Sequence, residues 1–144
     1  PKFYFHDVGV VNYLTKRGRI EYGSELFGKA FENWIFHELF VHSRYSEQFY
    51  DIAYWRLTSG IEVDFILGKA EIAIEAKGKE KITGNDCKGL LEFKKEYPAV
   101  KELILVSLEK NARKTKDGIL ILPYMEFIEK LYSPQPNIQN LSFS

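Results

Sequence analysis

The first clear pattern in the chain is helical. Hydrophobic residues recur at three-and-four spacing after Ser24, which can cap a helix, and continue to Leu39. Three strand-like runs follow at 51–57, 61–67 and 71–77, and the short Gly-containing segments between them are typical of turns that join antiparallel neighbours. This part of the chain is therefore predicted to be a long helix followed by three antiparallel strands.

The second half of the pattern returns to a helix and then to buried strands. A helix is predicted to begin near Thr83 or Asn85 and to end before Pro98. Two almost uninterrupted apolar runs, at 103–108 and 118–122, are typical of central strands covered on both faces, and a last helix follows them. The predicted fold class is α/β, with a mixed β-sheet flanked by helices on both faces.

The length of 144 residues fits one domain of ordinary size. We assign residues 24–132 to this domain and residues 133–144 to a loose tail of Ser, Pro, Gln and Asn. Residues 1–23, with a short strand and a short helix, are interpreted as a leading segment that belongs to the end of a preceding module. The chain begins without an initiator Met, so we read it as part of a longer polypeptide.

Composition and charge narrow the class of function. A hydrophobic content of 45% with 15% aromatic residues excludes a disordered chain. Twenty basic and twenty acidic residues cancel, so a nucleic-acid partner has to be held by a local patch rather than by overall charge. One candidate patch, which can equally be a solvated helix face, contains five lysines: Lys79, Lys81, Lys88, Lys94 and Lys95.

The cysteine content and the hydropathy of the chain indicate its cellular compartment. Cys87 is the single cysteine, which rules out an internal disulfide and favours a reducing, cytoplasmic compartment. The apolar runs are far shorter than the roughly 20 residues that span a bilayer, so no membrane association is expected.

Charged residues interrupt two of the predicted strands. In the third strand, alternation places Glu75 and Lys77 on the same face. In the second strand it places Asp64 opposite an apolar face, and pairing of the two strands brings Asp64, Glu75 and Lys77 together. The apolar face of the second strand is expected to hold Val63, Phe65 and Leu67.

Carboxylates among hydrophobic strand positions need a partner, because an ionised carboxylate is costly to bury alone. Two carboxylates and a backbone carbonyl make an oxygen-rich site that suits Mg²⁺ or Mn²⁺. The Lys77 ammonium beside such a metal can orient a water molecule or stabilise charge on a phosphate. The alternative is a solvated, salt-bridged strand face with no catalytic role.

This ordered combination resembles the PD-(D/E)XK nuclease superfamily, the restriction-endonuclease-like fold. The resemblance implies that Asp64 is the motif's metal-binding aspartate and that Glu75-Ala76-Lys77 is its (D/E)xK triplet. The segment Gly28-Lys29-Ala30-Phe31-Glu32 looks like a Gly-x-x-x-Glu helix opening, which implies an auxiliary metal carboxylate at Glu32. Helical phase alone leaves Glu38 as an alternative to Glu32. The motif's proline before the aspartate is absent here.

More narrowly, four stretches look like the C-terminal domain of a prokaryotic family of AAA+-type ATPases: KFYFHDVGVVNYL, GKAFENWIFHEL, YWRLTSGIEVDFIL and IAIEAKG. The resemblance implies an N-terminal ATPase module in the full-length chain, DNA as partner, and a homodimer among the assemblies it allows. Two functions stay open. One is a Mg²⁺-dependent nuclease that hydrolyses DNA phosphodiester bonds with Asp64, Glu75, Lys77 and Glu32, the three carboxylates holding the metal. The other is an inactive nuclease-fold module that serves DNA or protein recognition, or regulation, for the attached ATPase.

Overall fold

Six strands form one mixed sheet with helices on both faces, in a computed structural model that describes residues 24–133 and 142–143. Across the sheet the strand order is β1-β2-β3-β4-β6-β5. The predicted α/β class with a mixed sheet is confirmed, and the expectations for 1–23 lie outside the described residues. In chain order the elements are α1 (Glu25–Tyr45), β1 (Ile52–Arg56), β2 (Glu62–Leu67), β3 (Ile72–Ala76), α2 (Lys88–Glu96), β4 (Glu102–Ser107), β5 (Arg113–Lys114), β6 (Ile119–Pro123) and α3 (Tyr124–Leu131).

The sheet combines an antiparallel and a parallel half. β1, β2 and β3 are antiparallel neighbours, as the short turns between them predict. β3 pairs with β4 in parallel, which requires a crossover, and α2 provides it. β4 also pairs with β6 in parallel, and the two-residue strand β5 closes the sheet against β6. β3 therefore lies between an antiparallel and a parallel neighbour.

Helix α1 forms where its cap and its hydrophobic stripe predict it. The Ser24 hydroxyl accepts a hydrogen bond from the Phe27 N–H at 3.0 Å, which satisfies one of the free donors of the first turn. Its stripe is buried against one face of the sheet, together with α3. Phe143, in the segment predicted to be a loose tail, is also buried there and stacks on Phe127 at 5.1 Å.

The two sides of the sheet carry separate hydrophobic cores. The core under α1 and α3 is the more aromatic one, and it includes Phe27, Phe31, Trp34, Tyr124 and Phe127. The core under α2 includes Val63, Ile66, Leu90, Phe93 and Leu105. Each central strand is therefore covered on both faces, in agreement with the apolar runs of β4 and β6. Within the described part of the chain, no helix is both long and apolar enough to cross a membrane.

A β-bulge in β2 corrects the predicted face of this strand. Ala53 pairs with Ile66 and Trp55 pairs with Val63, so two residues of β2 lie opposite one residue of β1. The extra residue reverses the alternation. Phe65 and Leu67 face α1, whereas Val63 and Ile66 face α2. The expectation that Val63, Phe65 and Leu67 share a face is wrong, because simple alternation assumes an uninterrupted ladder.

Candidate functional site between strands β2 and β3

Two carboxylates occupy a gap in the hydrogen-bond ladder between β2 and β3. The paired register runs from Leu67 and Ile72 to Phe65 and Ile74 and stops there. Beyond it, the backbone N–H of Asp64 donates to Glu75 Oε1 at 3.1 Å. The backbone N–H of Ala76, the next residue of β3, donates to Asp64 Oδ2 at 2.8 Å. Side-chain carboxylates thus accept the bonds that backbone carbonyls would accept in a continuous ladder.

The bulge in β2 is what positions Asp64. Asp64 and Phe65 are the two residues that lie opposite the single position between Ala53 and Trp55. Bulges often occur beside active sites because they redirect a side chain without ending the strand. Asp64 is half-buried, and Phe65 beside it is buried in the core under α1.

Burial and the neighbouring Asp64 favour the protonated form of Glu75. The Glu75 residue is only 5% exposed. Desolvation, followed by the hydrogen bond and the charge of Asp64, raises the pKa of the Glu75 carboxyl to about 9. The Lys77 ammonium opposes this rise. In the absence of a bound metal ion, Glu75 therefore keeps its proton near pH 7.

Lys77 lies at the same end of β3 as the carboxylate pair. Its Nζ is 3.9 Å from Glu75 Oε2, and its side chain is 37% exposed. Its backbone N–H donates to the Val106 carbonyl at 2.9 Å, which continues the pairing with β4 and fixes the start of the side chain. The ammonium group is therefore held next to Glu75 while remaining accessible from solvent.

Helix α1 brings Glu32, and not Glu38, towards this pair. Burial raises the pKa of Glu32, and the charge of Asp64 raises it further. Glu32 also lies 3.7 Å from Lys29 Nζ on the preceding helical turn. Glu38 is buried elsewhere and accepts a hydrogen bond from the Tyr132 hydroxyl at 3.2 Å. Of the two helix carboxylates, Glu32 is the one in electrostatic contact with the site.

An open groove runs along the first turns of α1. Among the described residues it is lined by Glu25, Leu26, Lys29 and Glu32. Glu32 therefore faces solvent on one side and the charge of Asp64 on the other.

On the other side of the sheet, α2 begins close to Glu75. A Cβ atom at Gly89 would lie 2.2 Å from the Glu62 carbonyl oxygen and 3.6 Å from Glu75 Oε2. Only glycine therefore permits this approach of helix and strand. Sequence analysis missed Gly89, although a glycine inside a predicted helix was an available signal.

The connection from β3 to α2 is fixed by a buried aspartate. The Asp86 carboxylate accepts hydrogen bonds from Lys79 Nζ at 2.8 Å and from the Thr83 N–H at 2.9 Å. Although burial opposes it, these partners lower the pKa of Asp86. Asp86 is 8% exposed and lies in a 3₁₀ turn, Gly84–Cys87, directly before α2. This contact sets where α2 begins.

The predicted lysine patch is partly neutralised in the structure. Lys79 is paired with Asp86, and Lys95 lies 3.2 Å from Glu92. Both pairs support the interpretation of this segment as a solvated, charge-balanced surface.

The donor set at the gap fits a hard divalent cation. Mg²⁺ usually binds one or two protein carboxylates and completes its shell with water and substrate phosphate. Asp64 and Glu75 supply two carboxylates whose repulsion such an ion would relieve. Within residues 24–133 and 142–143, however, no group of three or more His, Cys, Asp or Glu side chains is close enough to hold a metal. A metal shared by Glu32, Asp64 and Glu75 therefore stays a prediction.

Comparison with known proteins identifies a family. A family model described as a domain of unknown function, DUF4143, matches residues 27–127. The matched segment contains all six strands and the four candidate site residues Glu32, Asp64, Glu75 and Lys77. Searches among curated proteins and among solved structures gave no match.

Proposed function

The chain belongs to the DUF4143 family of domains of unknown function, and from this premise we propose that it is a Mg²⁺-dependent nuclease domain that hydrolyses DNA phosphodiester bonds. One observation carries the proposal: two carboxylates, Asp64 and Glu75, share a buried gap in the sheet with the Lys77 ammonium beside them. Strongly shifted pKa values of buried carboxyl groups cluster at functional sites, and the raised pKa of Glu75 supports the proposal.

The residues would divide the work as follows. Asp64 and Glu75 would hold Mg²⁺ or Mn²⁺, with Glu32 as a third carboxylate from α1. When bound, the metal lowers the pKa of a water molecule and polarises the phosphate. Lys77 would orient the attacking water or stabilise negative charge on the phosphate, because its ammonium is partly exposed and close to Glu75. The resemblance to PD-(D/E)XK nucleases supports the same roles.

The test is a cleavage assay with single-stranded, duplex and branched DNA in Mg²⁺ or Mn²⁺. We expect the wild-type chain to cleave and the variants Asp64→Asn and Lys77→Met to lose at least about 100-fold in rate, the scale typical of removing one catalytic group. Lys116→Met is the matched control, since Lys116 is an exposed lysine in the turn between β5 and β6. Equal cleavage by all four proteins would rule out the mechanism.

A second function has its own support. Among the described residues there is no three-carboxylate group that could hold a metal, and both carboxylates of the gap already accept backbone hydrogen bonds. This arrangement favours an inactive nuclease-fold module that recognises DNA or a protein. Such a module would bind DNA without cleaving it in Mg²⁺, and Lys77→Met would leave its binding unchanged.

The setting of the domain belongs to the same proposal. The resemblance to the C-terminal domain of AAA+-type ATPases supports an N-terminal ATPase module in the full-length chain, in the cytoplasm. Homodimerisation would allow two copies to cut both strands of a duplex. Mass measurement of the full-length protein in solution, with and without ATP, tests the N-terminal ATPase module and the homodimer.

A further inference from the structure

A row of exposed aromatic side chains leads away from the candidate site along α1. Phe36 is 45% exposed and lies one helical turn after Glu32. Phe40 follows one turn later, is 39% exposed, and stacks on Phe36 with ring centroids 6.3 Å apart and planes at 28°. Phe36 also stacks at 6.1 Å on Phe65, the residue next to Asp64. The row therefore joins the carboxylate site to the surface of the domain.

An arginine ends this row. The Arg44 guanidinium carbon lies 4.9 Å from the centre of the Phe40 ring and 5.9 Å from that of Phe49. Phe49 is itself 59% exposed. Arg44 forms no ion pair within the described ranges 24–133 and 142–143. We call Phe36, Phe40, Arg44 and Phe49 the aromatic ridge.

The chemistry of the ridge favours one kind of occupant. Phe36 and Phe40 are 45% and 39% exposed, which leaves part of each ring open for stacking beside the neighbours that it already contacts. The Arg44 guanidinium, which has no ion-pair partner among the described residues, offers a charge for a phosphate. A single DNA strand presents bases and phosphates together, whereas a duplex keeps its base faces stacked inside. The distance along α1 from Glu32 to Arg44 is about 18 Å, which is room for about three to five nucleotides.

We propose that the aromatic ridge binds single-stranded DNA and directs it into the site at Asp64 and Glu75. This inference rests on the proposed nuclease function and names its substrate as a single strand or an unpaired end. The bases stack on Phe36 and Phe40, and Arg44 contacts a phosphate.

The test measures binding by fluorescence anisotropy in EDTA, so that hydrolysis plays no part. The probes are a labelled thymidine oligonucleotide of about 20 nucleotides and a duplex of the same length. The double variant Phe36→Leu/Phe40→Leu keeps apolar side chains but removes the ring faces. We expect its single-strand Kd to rise roughly tenfold or more, since two rings on which bases can stack are lost. Duplex binding should change by less than about twofold.

Two further variants sharpen the test. Arg44→Gln should reduce the slope of log K against log salt by about 0.7, as expected for one lost phosphate contact to a single strand. Tyr97→Leu is the matched control, because Tyr97 is 40% exposed but stacks on Phe93, on the opposite face of the sheet. It should bind like the wild type. Circular dichroism checks that each variant folds.

Several results would overturn the inference. The first is no binding of the oligonucleotide by the wild-type chain. The second is a single-strand Kd of the double variant within about twofold of the wild-type Kd. The third is an equal loss of single-strand affinity in Tyr97→Leu. If the wild-type chain is a dimer and the double variant is a monomer, the ridge is instead a contact between two copies of the chain. That result also overturns the inference. Failure of the nuclease proposal looks different: ridge-dependent binding would remain intact while Mg²⁺ produces no cleavage.

Discussion

Replacing Glu75 with glutamine should stabilise the domain above neutral pH, although it removes a proposed metal ligand. The Glu75 carboxyl is 5% exposed, and burial followed by the hydrogen bond and charge of Asp64 raises its pKa from 4.5 to about 9. The folded state therefore holds a proton that the unfolded chain releases near pH 4.5. The resulting stability is fully present below pH 4.5 and is lost as the pH rises towards 9.

The size of this effect follows from the pKa shift. Each pH unit between the two pKa values costs up to about 1.4 kcal/mol of unfolding free energy. From pH 5 to pH 8 the upper limit is about 4 kcal/mol, and relaxation and water around the charge reduce it to about 2 kcal/mol. Glutamine does not titrate. Its carbonyl can still accept from the Asp64 N–H, and its amide can donate to the Asp64 carboxylate.

The assay is urea unfolding of wild type and Glu75→Gln at half-unit steps from pH 5 to pH 8.5. The free energy of unfolding of Glu75→Gln should rise relative to that of wild type by about 2 kcal/mol across this pH range. Glu92→Gln is the control, since Glu92 is a partly exposed carboxylate on α2, and it should stay within about 0.5 kcal/mol of wild type. A pH-independent difference for Glu75→Gln would refute the argument that Glu75 is held protonated.

Other predictions concern the contacts around α2 and α1. Gly89→Ala should lower unfolding free energy by about 1–3 kcal/mol, because its Cβ would lie 2.2 Å from the Glu62 carbonyl oxygen. Gly28→Ala in α1, where a Cβ would meet nothing within 4 Å among the described residues, should instead raise it by up to about 1 kcal/mol, and thermal melts of both variants check the contrast. Asp86→Asn should lower the free energy of unfolding by about 1–2 kcal/mol at pH 7, and this loss should shrink as the pH falls through the lowered pKa of Asp86. Urea titrations at pH 7 and pH 3 measure the loss. An equal loss at both pH values contradicts the assigned ion pair.

Local patterns in the sequence were sufficient for most of the fold. Ser24 caps α1 as expected, and the turns between the first three strands join antiparallel neighbours. The pairing of β2 with β3 then brought Asp64 next to Glu75. These features depend on short-range periodicity and turn residues, which a single sequence carries.

The features that failed or stayed open depend on tertiary contacts. The bulge in β2 cannot be read from alternation, because Val63 and Phe65 are both apolar and fit either face. Strand β5 has only two residues, too few for a pattern. Helical phase placed Glu38 nearer the middle of the hydrophobic stripe than Glu32, and the position of α1 over the sheet is what separates the two carboxylates.

The most direct test of the account is calorimetric titration of Mn²⁺ into the metal-free chain at pH 7, in two buffers of different ionisation enthalpy. If Asp64 and Glu75 form a cation site, binding should saturate and release about one proton per ion, because the metal displaces the proton held by Glu75. Asp64→Asn should abolish both signals. Saturable binding that persists unchanged in Asp64→Asn, or no binding by the wild-type chain, would contradict the central claim.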